Sequence, residues 1–184
     1  MDGVLTDEDL LSAVSGDGRS AEKIYRSLSP KVMGYLQARG VEDAEAVAQD
    51  VFLTVFQKLD NVTGGVAGLK TFTFSVAHAR VVDAARARAR HPHLAEYDPD
   101  FDTRTVSSAE QVVVDRSGGD VVQLMQTLNP DQREVLSLRI VADLPIDQVA
   151  RVMDKSEGSV KQLQRRALAK LKDMVVGSKV GGAS

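Results

Sequence analysis

Apolar residues recur along this chain at intervals of three and four, and alternating stretches are few, so helices rather than strands are predicted throughout. Thr6-Asp7-Glu8-Asp9 ahead of Leu10-Leu11 supplies a capped helix start. A second helix is predicted from about Ser20 to Arg39, ending at Gly40, with Pro30 either kinking or dividing it. A third covers about Glu42 to Leu59. The glycine-rich stretch Asn61 to Gly68 reads as a flexible loop, and a fourth helix follows from about Leu69 to Arg90, stopping before Pro92.

The pattern then changes. Residues 91–119 hold His91-Pro92-His93, Asp98-Pro99-Asp100, Ser107-Ser108 and Gly118-Gly119, with little periodicity beyond a short helix around Ser108–Val114. A second helical module begins near Asp120, where Asn129-Pro130-Asp131-Gln132 places Asn at the cap, Pro in the first turn and Gln to bond back. Three or four short helices should close it near Val176. The expected fold is all-α, with two small helical domains at 1–91 and 120–176, a flexible acidic linker at 92–119 and a disordered tail at 177–184.

Composition sharpens this. The chain has 184 residues, is 43% hydrophobic with 4% aromatics, and contains no Cys, which excludes disulfides and thiolate metal sites. No apolar run approaches the roughly 20 residues that span a bilayer and no signal-peptide pattern opens the chain, so no membrane insertion and a cytoplasmic location are expected. The net charge of −3 hides a lopsided distribution. Residues 61–93 carry five Lys and Arg against one acid, and residues 151–184 carry eight against three. Between them, residues 94–120 carry two against seven. Fields act over about 8–10 Å, so the two basic blocks matter more than the total.

The C-terminal block has the form of a helix-turn-helix. Leu144 to Ala150 leads through Met153-Asp154-Lys155 into Ser156 to Ala167. Asp154 stands where the turn demands left-handed backbone, which Asp tolerates better than most residues. On the second helix Val160, Leu163, Ala167 and Leu171 share a side that should bury, whereas Gly158, Lys161, Gln162, Arg165, Ala169 and Lys172 share the other. Small residues, cations and amides together suit a helix lying in a major groove. Ser159, Lys161, Gln162, Arg165 and Arg166 are the candidate DNA contacts, the middle three nearest the base edges. A solvated basic face is the alternative, opposed by the preceding helix and the small Ala150 where two helices cross.

On the third helix Val47, Val51, Phe52, Val55, Phe56 and Leu59 make an apolar face, and Asp43, Ala46, Gln49, Asp50, Leu53 and Gln57 lie opposite. A single exposed Leu needs no explanation, but Leu53 among acids and amides also suits a docking surface for a basic helical partner. On the fourth helix Leu69, Phe72, Val76 and Ala79 are candidate core residues, while Lys70, Arg80, Arg86, Arg88 and Arg90 carry positive charge. Phe74 and His78 either pack internally or meet a base, and the loop before them either is simply mobile or forms a pocket for an unstacked base.

In order and spacing these segments resemble extracytoplasmic-function (group 4) sigma factors of the sigma-70 family. Tyr25 to Arg39 with Asp43 to Phe52 resembles region 2, Leu69 to Arg90 its promoter-melting part, and Leu128-Asn129-Pro130-Asp131-Gln132-Arg133-Glu134-Val135-Leu136 plus the helix-turn-helix region 4. The resemblance covers about residues 20–90 and 120–172. It implies a bacterial transcription initiation factor, not an enzyme and without cofactor, catalytic residue or metal, that binds core RNA polymerase and promoter DNA. Asp43, Gln49, Asp50, Leu53 and Gln57 would meet the β′ clamp helices, and region 4 the β flap. Lys70, Phe74, His78, Arg80, Arg86 and Arg88, with loop 61–68, would read the −10 element. Ser159, Lys161, Gln162, Arg165 and Arg166 would read the −35 element, and an anti-sigma factor would regulate.

Four positions depart from the family pattern. Ala46 replaces a common Asp, Phe72 a common Trp, Ala79 a common Asn and Pro145 a capping Ser. The rival reading is a response-regulator (LuxR-like) activator, which needs an α/β receiver or sensing domain that residues 1–90 do not suggest. No phosphate loop, zinc-protease helix or nucleophile–base spacing points to an enzyme, and His91 and His93 flank Pro92 in the linker as solvent-facing residues.

Overall fold

The computed structural model describes residues 4–90 and 123–180, and every regular element among them is helical. The expected linker and the helix around 108–114 lie outside the described residues.

Helix α1 (Asp7–Val14) starts at a capping box: Asp9 N–H donates to Thr6 Oγ1 at 3.2 Å, and Thr6 N–H to Asp9 Oδ2 at 2.8 Å. Helix α2 (Gly18–Ala38) is capped by Asp17, whose carboxylate accepts from Ser20 N–H at 3.0 Å. It runs through Pro30 without a break. A mid-helix proline costs about 3 kcal/mol, but Ile24, Leu28, Val32, Tyr35 and Leu36 are buried on both sides of it and hold the helix together. Gly40 closes the end at φ +73°, the left-handed turn that glycine accepts freely.

Helix α3 (Ala44–Gln57) is capped by Asp43, which accepts from Ala46 N–H at 3.0 Å, and passes into a 3-10 turn at Leu59–Asn61. Helix α4 (Gly65–Arg90) begins four residues earlier than the glycine content suggests. Its buried stripe is Leu69, Thr73, Phe74, Ala77 and Val81, with Phe72 and Val76 partly buried and Ala79 exposed rather than in the core.

After a helical turn at 123–126, Asn129 caps α5 (Pro130–Leu136) through the expected box with Gln132 (Gln132 N–H to Asn129 Oδ1, 2.8 Å). The Arg133 guanidinium pins the preceding turn by donating to the carbonyls of Met125, Gln126 and Leu128. A π turn at Ser137–Val141 leads to α6 (Ile146–Met153) and α7 (Glu157–Val180). Pro145 occupies the cap position of α6 itself, without a side-chain cap bond, and not the first helical residue. α7 continues through Gly177 to Val180, into the stretch read from sequence as tail.

Both helical units are present and lie packed together. One apolar cluster runs from Leu5 and Leu10 through Leu36, Val51, Phe74 and Val81 into Val135, Leu138, Val149 and Val160. A smaller one joins Met125, Leu128, Leu136 and Ala167. The seam places α2 against the π turn and α4 against α6. Gly34 is needed there, because a Cβ would sit 2.9 Å from Val141 Cγ1.

Candidate nucleic-acid and polymerase interfaces

The turn between α6 and α7 is built by Asp154 at φ 52°, ψ 47°. There Lys155 N–H donates to Ala150 O at 3.0 Å, closing α6, and Ser159 N–H donates to Ser156 Oγ at 3.1 Å, opening α7. Val160 and Ala167 are buried, and Leu163 and Leu171 partly so, which fixes the roll of α7. Ser159, Lys161, Gln162, Arg165 and Arg166 are consequently all exposed. Asp131 and Lys155, 3.1 Å apart, edge a cleft of about 470 Å³ that Ser159, Gln162 and Arg166 also line. The small and cationic residues that groove reading needs therefore share one free face.

The outer face of α3 is exposed at Asp43, Gln49, Asp50, Leu53 and Gln57, with Leu53 at 58%. Two of these side chains already have structural work. Asp43 caps its own helix, and Asp50 pairs with the Arg80 guanidinium, which also reaches Thr54 Oγ1 at 3.3 Å.

On α4 the expected set divides. Arg86 and Arg88 are exposed and Lys70 is partly exposed. Arg80 belongs to the α3–α4 ion pair. Phe74 is fully buried, edge-on to Tyr35 with ring centroids 5.7 Å apart, so it is core and presents no face for a base. His78 is turned to the seam, its Nδ1 3.0 Å from Glu134 Oε1.

That seam holds the least expected feature of the structure. Glu134 is 2% exposed, and three side chains of the N-terminal unit converge on it. Tyr35 donates its hydroxyl to Oε1 at 2.7 Å, Arg39 Nε stands 2.6 Å from Oε2, and His78 completes the ring. The Arg39 and His78 nitrogens meet distance limits but not hydrogen-bond angles, so Tyr35 supplies the directional bond while the Arg39 guanidinium sets a positive charge beside the carboxylate. Arg39 Nη1 also donates to Pro130 O at 3.2 Å. Burial, then the Glu134 charge, pushes the Tyr35 phenol well above its usual value. Beside the cluster lies a cleft of about 420 Å³, lined by His78, Val82, Arg86, Met153 and Lys155 among others.

Residues 124–173 match the family described as sigma-70, region 4. The ECF RNA polymerase sigma factor SigD of Mycobacterium tuberculosis is 29% identical over 185 residues, covering 97% of this chain and 87% of that one. The ECF RNA polymerase sigma factor ShbA of Streptomyces griseus is 25% identical over 171 residues, covering 87% and 90%. Over nearly its whole length the chain is similar to extracytoplasmic-function sigma factors. The fold agrees with a solved structure of CnrH in complex with the cytosolic domain of CnrY, at a TM-score of 0.68 and 18% identity over 93% of this chain and 97% of that one.

Sequence reasoning placed the exposed faces of α7 and α3 but missed the seam. One signal was available: Glu134 sits one turn before Leu138 and beside Val135, a charge inside an apolar stripe. No described helix is long and apolar enough to cross a membrane. Among the described residues no three His, Asp or Glu side chains gather to hold a metal ion. His91 and His93 lie outside them.

Proposed function

We propose that this chain is a sigma factor that binds core RNA polymerase and directs it to promoters through two readers, one in each helical unit. The observation that carries the upstream reader is the locked roll of α7, which buries Val160 and Ala167 and frees Lys161, Gln162 and Arg165 together. Those three would contact base edges or adjacent phosphates of the −35 element, with Ser159 and Arg166 on the flanking backbone. Lys70, Arg86 and Arg88, with the turn before α4, would serve the −10 element. His78 would join them only when the two units part, and Phe74 is left to the core.

Core binding is assigned to the α3 face of Gln49, Asp50, Leu53 and Gln57, facing the β′ clamp helices, and to the region 4 unit at the β flap. The exposed Leu53 ringed by acids and amides suits a basic helical partner. An anti-sigma factor is the proposed regulator. As an initiation factor the chain needs no catalytic group of its own. The activator reading finds no support, since residues 4–90 form a helical bundle instead of a receiver.

Co-purification with core polymerase tests the reading. The parent chain should be retained at low salt, and Leu53→Asp should lose retention while keeping its helical circular dichroism. A parent chain that is not retained refutes the sigma-factor function. A retained Leu53→Asp chain moves the docking face off α3.

A further inference from the structure

Helix α1 lies outside the segments 20–90 and 120–172 whose motifs carry the resemblance, yet its first residue reaches across the unit to the turn before α4. Asp7 Oδ1 accepts from Val66 N–H at 2.8 Å, a contact spanning 59 residues of chain. The turn is shaped around that carboxylate. Gly64 and Gly65 lie at φ +83° and +62°, and a Cβ on Gly65 would come within 2.4 Å of Asp7 Oδ1. Gly68 is similarly fixed, since a Cβ there would overlap the Thr63 carbonyl. No acid lies in the first turn of α4, so Asp7 provides the negative charge at that positive helix end, while standing at the positive end of α1 as well.

Asp7 is held firmly. Leu5 and Leu10 on either side of it are buried. Asp9, two residues on, takes the Thr6 cap bonds and the Lys23 ammonium at 2.6 Å, which ties α1 to α2. The carboxylate is therefore a fixed post against which Thr63 to Val66 is set.

We infer that Asp7 is a positioning residue for promoter reading: it holds the turn Val62–Gly65 in the shape that receives an unstacked base of the −10 strand. This rests on the assignment of that turn to the −10 element above. The bond is charge-assisted and is the one side-chain hydrogen bond between α1 and the turn among the described residues, while Val62 and Val66 stay packed on the core, so its loss should loosen the turn without unfolding the bundle.

Core polymerase loaded with the full chain should be run on a DNA pool randomised across both promoter elements, with transcribed templates sequenced. The parent and Thr63→Ala chains fix the baseline, and Thr63→Ala should alter base preference only in the −10 element. Asp7→Ala should weaken that preference about tenfold, the size expected for one such hydrogen bond, and leave −35 preference and core retention unchanged. Asp7→Asn, which keeps the acceptor oxygen, should restore it. Unchanged −10 preference in Asp7→Ala overturns the positioning role, as does equal loss at both elements, which would signal general destabilisation. If Thr63→Ala changes nothing at −10, the assignment of the turn fails and takes the inference with it.

Discussion

Replacing Glu134 with Ala would test what holds the two units together. The change leaves the Arg39 guanidinium, 11% exposed, and the Tyr35 hydroxyl facing each other across a void. Removing one partner of a buried ion pair costs about 3–5 kcal/mol, because the remaining charge stays buried without compensation. Arg39 keeps Pro130 O, so the lower end, about 3 kcal/mol, is expected, roughly a hundredfold in the docking equilibrium. Small-angle scattering should show a larger radius of gyration than the parent, and thermal melting should split as the units uncouple. Tyr35→Phe removes only the hydroxyl and should cost about 1.5 kcal/mol. It should also remove an alkaline loss of stability. The Tyr35 phenol is raised above its ordinary 10.0, chiefly by burial, so its contribution is complete below pH 10 and falls as pH rises beyond it. A Glu134→Ala chain with the parent's radius and melting curve would refute the idea that this carboxylate holds the seam.

Other outcomes follow from single contacts. Gly34→Ala should open the same seam by about 1–3 kcal/mol through its clash with Val141, and Val141→Ala should restore part of the loss in thermal denaturation. Lys161→Ala with Arg165→Ala should cut binding to promoter DNA upstream and lower its salt slope by about two, while core retention holds; equal loss of core binding would show the roles misplaced. Asp9 is lowered from 3.8 to about 2, first by Lys23 and then by Thr6. A depressed carboxyl stabilises above its unfolded value, so α1 should loosen as pH falls from about 4 toward 2, and Asp9→Asn should lack that acid step in hydrogen exchange.

The elements that sequence predicts best are those that announce themselves locally. Thr6 with Asp9, and Asn129 with Gln132, are reciprocal caps readable three residues apart, and Asp154 marks a turn with one residue. The start of α4 is not local. Three glycines between 61 and 68 argue for loop because glycine is a poor helix former, but the cap comes from Asp7, far upstream. The register of α4 fails for a related reason. It packs against α1, α2 and α3 on one side and α6 on another, so more than one stripe buries and no single wheel separates Phe74 from Ala79. Tyr35 and Glu134 lie 99 residues apart, and no window on the sequence contains both.

Because Tyr35 and Glu134 belong to one continuous chain, their docking is a unimolecular event. Diluting the protein does not weaken it, since the two partners stay covalently joined whatever the bulk concentration. A partner that requires the units apart binds with an apparent affinity reduced by the fraction already open. The seam therefore fixes a threshold that any such partner must exceed through contacts made only in the open form, and the buried Glu134 carboxylate adds to the height set by the shared apolar cluster.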